Sequence, residues 1–155
     1  MALIDLFSGG QVIVDDVDFP LVSNSVWYRS GKYAVKNVRV CVGKWMQISM
    51  HRLVSGCREG MVVDHIDGNG LNNSRANLRI CTSAENGKNR KLSRSNKSWL
   101  KGVSFCAKTG KWLASIKHEG KSRHLGYFTD PNQAHKAYTQ AAILMHGEFA
   151  NPKGE

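Results

Sequence analysis

The chain has 155 residues, 41% of them hydrophobic and 8% aromatic, which allows one ordinary domain or two or three small ones with modest cores. The formal net charge is +10. The longest apolar runs are four or five residues, far short of a membrane span, so we expect no membrane association. The N-terminal sequence has no basic region and reaches Asp5 early, so we expect no signal peptide and an intracellular location.

Four cysteines occur, and none of them belongs to a C-x-x-C pair. A zinc knuckle normally needs such close pairs to bring two ligands together. The spacing therefore favours four reduced, partly buried thiols, and a structural zinc site is the alternative.

The positive charge is concentrated in one part of the chain. Residues 86–124 hold eleven Lys and Arg and one acidic residue, whereas the two charge types nearly balance elsewhere. Such a concentration suits a polyanion, because each neutralised phosphate releases condensed counterions. The alternative is a solvated surface that serves only solubility.

Residues 1–50 are expected to form a small antiparallel β module. Three segments rich in Val, Ile, Tyr and Trp partly alternate between apolar and polar residues, as half-buried strands do. They are QVIVDD, KYAVKNVRV and KWMQISM.

Residues 51–90 predict two strands, a tight loop and a helix. HRLVSG fits one or two helical turns, and GMVV and LRIC fit short strands. Between the strands, residues 64–77 are dense in Asp, Asn and Gly, which indicates a loop held by hydrogen bonds from side chains to the backbone. Thr82 or Ser83 can cap a helix over residues 84–91.

The remaining residues predict a basic linker and a compact module. Residues 91–99 are polar and basic, and residues 100–128 give three strand-like runs separated by glycine-containing turns. Thr129, Asp130 and Pro131 start a helix with apolar residues on one face, and Gly147 ends it. The fold class is therefore α+β, with a C-terminal three-stranded antiparallel sheet packed on one helix over residues 100–151.

Residues 64–86 contain the groups that hydrolysis of a phosphodiester requires. The reaction needs a base for water and a cation for the charge that grows on the phosphate and the departing oxygen. Asp64, His65, Asn77 and Asn86 supply a carboxylate, an imidazole and two amides. Adjacent residues on a strand point to opposite faces, so a bend would be needed to bring Asp64 and His65 to one site.

The sequence VVDHIDGNGLNNSRANLRICTSAEN, together with HRLV before it, resembles the HNH nucleases, particularly the phage homing-type enzymes. The resemblance covers residues 51–90 and implies a ββα metal site. It implies that His65 is the general base, that Asp64 and Asn86 bind one divalent ion, and that Asn77 orients the loop and the base. Asn86 replaces the third His of the name-giving pattern, which favours Mg²⁺ or Mn²⁺ over Zn²⁺ or Ni²⁺.

Other polar residues near this motif have two interpretations. Asn69, Asn72 and Asn73 are interpreted as loop-stitching residues, and Asp67 as structural. His51 either touches the phosphate or packs. For the motif as a whole, the alternative to a nuclease is a DNA-binding regulator that keeps a degenerate HNH fold. A protein that acts on RNA is a third hypothesis, disfavoured by the few aromatic residues available for base stacking.

Residues 100–151 resemble the APETALA-type (ethylene-response-factor) DNA-binding domains, through GV, GKW, ASI, LGYF and the helix rich in Ala and Tyr. The resemblance implies a sheet laid in the major groove with the helix behind it. Alternation places Trp112, Ala114 and Ile116 towards the helix. The predicted DNA contacts of the module are Lys101, Ser104, Lys108, Lys111, Ser115, Lys117, Lys121, Arg123 and His124. Cys106 lies beside them, and the family favours position 124 over 123. Few arginines are present for guanine, which favours recognition weighted towards phosphate.

Arg90, Lys91 and Arg94 in and before the linker are expected either to follow a DNA groove as an arm or to belong to a disordered tether. Together the two resemblances imply a homing-type enzyme that nicks double-stranded DNA as a monomer and leaves a 5′-phosphate and a 3′-hydroxyl. It would use one Mg²⁺ or Mn²⁺ per chain and no small-molecule cofactor, in the host cytoplasm if phage-encoded. Residues 1–50 would then be a structural support or a further DNA contact.

Overall fold

The computed structural model describes residues 1–154, which form two compact units. The first unit runs from Met1 to Asn86, and the second begins at Gly87. Small antiparallel sheets of two or three strands occur in both, which confirms the α+β class. Within residues 1–154, no helix is both long enough and apolar enough to cross a membrane.

The first unit begins with two small sheets. Strand β1 (Ala2–Asp5) pairs with β2 (Gln11–Val14), and the short helix α1 (Phe19–Val22) follows. The second sheet has the order β3 (Tyr28–Ser30), β4 (Tyr33–Cys41) and β5 (Lys44–Ser49). The predicted strands correspond to β2, β4 and β5, whereas β1, α1 and β3 were not predicted.

The rest of the first unit contains the expected ββα order. Helix α2 (Met50–Ser55) leads into β6 (Val62–His65), and a 3-10 turn (Arg75–Asn77) precedes β7 (Leu78–Cys81). Helix α3 (Ser83–Lys88) follows and is shorter than the predicted 84–91.

One apolar core joins the β module to the ββα segment. Met50 and Val54 of α2 pack with residues from both N-terminal sheets, and Leu71 and Leu78 border the same cluster. Buried at its centre, Trp27 donates a hydrogen bond from its indole nitrogen to the Val22 carbonyl at 2.8 Å. Residues 1–50 are therefore packed as part of the unit that holds the motif. The division into four segments stays a prediction from sequence composition.

The second unit is a sheet backed by a helix. Strands β8 (Val103–Cys106), β9 (Lys111–His118) and β10 (Lys121–Phe128) form a sheet with β9 in the centre. Helix α4 (Pro131–His146) packs on it and a 3-10 turn (Gly147–Phe149) follows. The core is Ile116 and Ala114 of β9 against Tyr138, Ala142 and other residues of α4.

Gly102 shows why the start of this sheet requires glycine. Its φ is +75°, and a Cβ atom at that position would overlap the ring of Tyr138. Any side chain there would strain the backbone and push Tyr138 out of the core. The close approach of Gly102 to Tyr138 therefore fixes how the first strand meets the helix.

Candidate active site and DNA-binding surface

Strands β6 and β7 hold the first two candidate catalytic residues. They pair antiparallel in continuous register, with Asp64 opposite Arg79 and His65 opposite Leu78. Both candidates are buried and contact different partners, because the strand alternation continues to its end. The pairing reaches His65 without a register shift.

Asp64 is paired with an arginine from the neighbouring strand. The Arg79 Nε and Nη2 atoms both donate to Asp64 Oδ2, at 2.9 and 2.6 Å. The side chain of Arg79 is only 14% exposed. Removing either member of this buried pair would leave an uncompensated charge, so the two side chains depend on each other.

Asn86 is carried by a helix whose start is defined by a capping box. The Glu85 carboxylate accepts from the Thr82 backbone N–H at 2.8 Å, and the Glu85 N–H donates to the Thr82 hydroxyl at 3.2 Å. This reciprocal pair satisfies two N–H groups that a helix start leaves without a partner. It fixes the register of α3 and hence the position of Asn86, which is half-buried.

The loop between the strands is held together by Asp67 and Asn77. The Asn77 amide donates to Asp67 Oδ1 at 2.9 Å and to the Asn72 carbonyl at 2.8 Å, and its oxygen accepts from the Asp67 N–H at 3.0 Å. Asp67 also accepts from the Asn69 N–H and the Asn72 amide. Burial disfavours the ionised form, but these hydrogen bonds hold the pKa of Asp67 below its usual range. Asn77 thus shapes the loop.

His65 is oriented by Asn73 rather than by Asn77. Its Nε2 lies 3.2 Å from Asn73 Oδ1, and the Asn73 amide nitrogen donates to the Met50 sulfur at 3.7 Å. Asn73 is fully buried, so this orientation is fixed by packing. Because the amide oxygen accepts, His65 carries its proton on Nε2, and the basic lone pair is on Nδ1.

Tyr33 and His51 complete an aromatic cluster around His65. The Tyr33 ring centroid lies 4.7 Å from that of His51 and 5.7 Å from that of His65, and the two imidazoles are 5.2 Å apart. A Cβ on Gly70 would overlap the Lys32 carbonyl and lie 2.8 Å from Tyr33 Cδ1, so the loop needs glycine there to pass this backbone and the ring. His51 Nδ1 is buried without a hydrogen-bond partner. The two interpretations of His51 from the sequence, a phosphate contact and packing, both stay predictions.

Both imidazoles are neutral at neutral pH. Burial lowers the pKa of His51 to about 4, with additional effects from the charges of His65, Arg52 and Lys32. Burial also lowers the pKa of His65, although the hydrogen bond to Asn73 opposes the shift. A base must be unprotonated to accept a proton, so this environment suits that role. Only 4% of His65 is exposed, which leaves at most one edge of the ring for a water.

The second unit presents most of the predicted DNA contacts on its surface. On β9, Ala114 and Ile116 are buried towards α4 and Trp112 is half-buried, whereas Lys111 and Lys117 are exposed. Register places Ser115 opposite His124 and therefore on the same outward face. The exposed members of the predicted set are Ser104, Lys108, Lys111, Lys117, Lys121, Arg123 and His124, with Ser115 half-buried.

Two members of the set depart from the expectation. Arg123 lies opposite Ile116, which places it on the face towards the helix, and its guanidinium is 3.9 Å from the Glu119 carboxylate. Lys101 directs its ammonium group at the carbonyls of Lys88, Arg90 and Asn151. Burial lowers the pKa of Lys101, helped by the charge of Arg90. In this structure Lys101 ties the linker to the end of the chain.

Hydrogen bonds attach the linker to the rest of the second unit, and its basic side chains are exposed. The Leu92 N–H donates to the Gly154 carbonyl at 2.9 Å, and the Asn151 amide donates to the Asn89 carbonyl at 3.2 Å. Arg90, Lys91 and Arg94 are exposed along this segment. Hydrogen bonds thus connect this segment to the rest of the second unit, and its role as a DNA arm or a tether stays a prediction.

Comparison with known proteins identifies the family. A family model described as HNH endonuclease matches residues 50–88. The chain is 41% identical over 92 residues to Protein 3.8 of Escherichia phage T7, covering 59% of this chain and 75% of that protein. It is 33% identical over 140 residues to Uncharacterized HNH endonuclease L560 of Acanthamoeba polyphaga mimivirus, covering 86% and 70% respectively. The chain belongs to the HNH endonuclease family.

A partial similarity connects this HNH endonuclease to plant proteins. It is 40% identical over 60 residues to APETALA2-like protein 2 of Oryza sativa, which is 39% of this chain and 14% of the rice protein. No solved structure matches the chain. The family membership thus rests on the viral relatives, and a plant-type DNA-binding role stays a proposal.

HNH nucleases generally depend on a divalent metal, and the donor chemistry of this chain fits a hard ion. Asp64 offers carboxylate oxygen and Asn86 offers amide oxygen, the ligand types that Mg²⁺ and Mn²⁺ prefer. Within residues 1–154, no group of three or more His, Cys, Asp or Glu is placed to hold a metal. None of the four cysteines forms a disulfide. Arg79 shares Asp64 and must be accommodated by any ion there.

Sequence reasoning missed three contributors to the HNH site. Asn73 was interpreted as loop stitching, yet it holds the imidazole of His65. Tyr33 lies in a segment whose sequence pattern predicts only a strand, and Arg79 lies in the strand LRIC, for which the pattern gives no catalytic role. The two predicted strands contained a signal for Arg79. A basic residue on one strand and an acidic residue opposite it on the next predict an ion pair. Asn73 and Tyr33 carry no comparable local signal.

Proposed function

We propose that this HNH endonuclease hydrolyses phosphodiester bonds of double-stranded DNA with His65 as the general base. The observation that carries the proposal is the hydrogen bond between His65 Nε2 and a fully buried Asn73, which leaves a neutral imidazole with its lone pair on Nδ1. Burial lowers the pKa of His65 and so supports that neutral form. The proposal therefore assigns the acceptance of a proton from water to His65 Nδ1.

The reaction is a single displacement at phosphorus. His65 Nδ1 takes one proton from the attacking water while the water oxygen bonds to phosphorus, and the bond from phosphorus to O3′ breaks. O3′ leaves with the bonding electron pair and takes a proton from solvent. The products are a 5′-phosphate and a 3′-hydroxyl, and the imidazolium returns its proton to solvent.

Asp64 and Asn86 are proposed to hold one Mg²⁺ or Mn²⁺. When bound, such an ion supplies positive charge that offsets the charge growing on the phosphate and the departing oxygen. Asp64 contributes a buried carboxylate, and the capping box fixes the helix of Asn86. Asn77 acts at a distance by holding the loop that begins one residue after His65.

The outward face of the second unit is proposed to bind duplex DNA, as the similarity to the plant proteins suggests. Lys111, Lys117 and His124 lie on this face with Ser104 and Ser115. Lys108 and Lys121 at the turns, and Arg90, Lys91 and Arg94 along the linker, would meet phosphates. One catalytic site per chain supports nicking by a monomer, and the resemblance of the motif to phage homing-type enzymes supports a homing-type role.

Supercoiled plasmid provides a direct test of the catalytic assignment. The purified chain with Mg²⁺ or Mn²⁺ should convert it to the nicked form, and EDTA should prevent conversion. His65→Ala should lower the rate by about 10²–10⁴-fold, the usual effect of removing a general base, while plasmid binding in EDTA stays unchanged. His135→Gln, on α4 and away from the sheet face, serves as the matched control and should nick normally. Wild-type nicking by His65→Ala would reject this base.

Binding of the second unit has its own test. Removing one lysine that contacts a phosphate should reduce the magnitude of the slope of log K against log salt by about 0.9. Lys117→Ala and Lys111→Ala should each do so with a mixed-sequence 30-bp duplex in EDTA. Lys136→Ala, on the exposed side of α4, is the control. A salt dependence that neither of the first two variants alters would reject the outward face.

A further inference from the structure

The β4–β5 hairpin of the first unit extends beyond the apolar core. Its base is buried at Ala34 and Val35, whereas its outer half is exposed. Trp45 is 63% exposed and Val42 at the turn is 88% exposed. Single exposed apolar residues are common, but a ribbon whose outer half is exposed on both faces is a typical interaction element.

The strand register sorts this ribbon into two different faces. Asn37 lies opposite Gln47 and Arg39 lies opposite Trp45, which puts these four side chains on one side. We call them the ribbon face. The other side carries Lys36 with Ile48 and Val38 with Met46. All four members of the ribbon face are exposed.

Charge indicates what kind of partner this ribbon fits. Residues 28–49 contain five basic residues, and no acidic residue occurs between Asp18 and Glu59. The basic residues are Arg29, Lys32, Lys36, Arg39 and Lys44, and the last three belong to the β4–β5 hairpin itself. All four acidic residues of the first fifty precede residue 19. An excess of one sign on an exposed element complements a polyanion and is unsuited to a lipid-like or apolar partner.

The chemistry of the ribbon face selects duplex DNA among polyanions. A two-stranded ribbon fits the major groove of B-form DNA, where Asn and Gln pair with adenine and Arg pairs with guanine. The major groove of an RNA duplex is too narrow for such an element. We propose that the β4–β5 hairpin inserts its ribbon face, Asn37, Arg39, Trp45 and Gln47, into the major groove of duplex DNA and reads bases there. This inference rests on the proposed function, which makes duplex DNA the substrate.

The hairpin is joined directly to the catalytic cluster. Strand β4 starts at Tyr33, whose ring packs against His51 and His65, and β5 runs straight into α2, which carries His51. Arg39 lies six residues beyond Tyr33 on the same strand. At about 3.3 Å per residue this is about 20 Å, which spans about six base pairs of B-form DNA. The bases read by the ribbon should therefore lie within about six base pairs of the cut.

Binding by the full-length chain tests the inference without cleavage. Duplexes of 30 bp are first selected from a random pool by wild-type protein in EDTA and are then used as the probe. Arg39→Ala should weaken binding to the selected duplexes by about 10-fold or more, and Asn37→Ala with Gln47→Ala by a similar factor. Met46→Gln, exposed on the opposite side of the same hairpin, is the matched control and should bind normally. Circular dichroism verifies that each variant is folded.

Two further measurements locate the contact. Tryptophan fluorescence should change on addition of the selected duplex, and the change should be smaller in Trp45→Phe, in which Trp27, Trp99 and Trp112 remain. Dimethyl sulfate should show guanine N7 atoms that wild-type protein protects in the major groove and that Arg39→Ala leaves reactive, within about six base pairs of the cut.

Several results would overturn the inference. Wild-type affinity and guanine protection in the Asn37, Arg39 and Gln47 variants would do so. The inference also fails if those variants bind DNA normally but lose a concentration-dependent self-association in sedimentation velocity, because the hairpin would then bind a second copy of the chain. Failure of the proposed nuclease activity is separate, since it appears as absent nicking and leaves the EDTA binding data intact.

Discussion

The loop of residues 66–77 and the sheet–helix core of the second unit reach order by different means. The loop is held by hydrogen bonds among Asp67, Asn72 and Asn77, each of which must meet a particular donor or acceptor. The second unit is held by apolar packing of Ile116 and Ala142 between sheet and helix. Polar contacts are directional and charge-dependent, whereas apolar burial is neither, so the two regions should respond differently to mutation and to pH.

The largest effect is expected at Asn77, because one side chain makes three hydrogen bonds. Asn77→Ala removes the bonds to the Asp67 N–H, the Asp67 carboxylate and the Asn72 carbonyl. At about 1 kcal/mol for a neutral bond and about 2 for a bond to a charged group, the free energy of unfolding of the first unit should fall by about 4 kcal/mol. Urea unfolding measures this decrease in the free energy of unfolding.

Asn69 provides the control for this loop. Its side-chain oxygen accepts one hydrogen bond, from the Leu71 N–H, and the residue is exposed. Asn69→Ala should therefore change stability by less than about 1 kcal/mol. Equal effects of the two variants would mean that the loop is not held by Asn77.

Ile116 tests the apolar side of the comparison. Ile116→Ala leaves a cavity between β9 and α4 and should lower the stability of the second unit by about 3 kcal/mol. Because no charge is involved, the loss should be the same at pH 4 and pH 8. Lys111→Ala on the exposed side of the same strand should stay within about 0.5 kcal/mol. Hydrogen exchange of the β9 amides distinguishes this loss from changes in the first unit.

The sequence predicted the apolar region better than the polar one, for a physical reason. Alternation along β9 is a local property, so the inward side of Trp112, Ala114 and Ile116 could be predicted from spacing alone. The pairing of His65 with Asn73 depends on how a loop closes, and spacing does not encode that. The contacts of Lys101 could not be predicted for the same reason, since its acceptors are backbone carbonyls that the fold brings together.

Averaging concealed a further signal. Summed over residues 1–50, basic and acidic residues nearly cancel, five against four, so the net charge of this segment does not distinguish a structural support from a further DNA contact. All four acids precede residue 19 and all five basic residues follow residue 28, so the charge separates along the chain. A count over shorter windows, matched to the length of one hairpin, would have shown it. The short elements β1, α1 and β3 carry three or four residues each, too few for periodicity to indicate them.

Asn73 is expected to affect both stability and catalysis. Asn73→Ala leaves His65 Nε2 without its acceptor in a buried site, which should cost about 2 kcal/mol of stability. The hydrogen bond raises the pKa of His65, so its loss should move the acidic limb of the rate profile to lower pH while kcat falls. Asn73→Asp keeps an acceptor and adds a negative charge, so it should move that limb to higher pH. Nicking rates between pH 4 and pH 9 measure both. Identical profiles would leave Asn73 a purely structural role.

The smallest effect is expected at Asp18, where the polar character of the first unit appears as a pH dependence. Arg75 donates to both Asp18 oxygens, at 2.8 and 2.7 Å, and this hydrogen bonding holds the pKa of Asp18 below its usual value although burial opposes the shift. A lowered folded-state pKa gives stability that is present above the unfolded pKa of about 3.9 and is lost as pH falls through the folded value.

Asp18→Asn should therefore be less stable than wild type at pH 7 and equally stable near pH 2. The difference should be modest, because the Arg75 side chain is 62% exposed and solvent screens the pair. Urea midpoints at the two pH values provide the measurement, and a gap that persists at pH 2 would show that Asp18 acts through packing rather than charge.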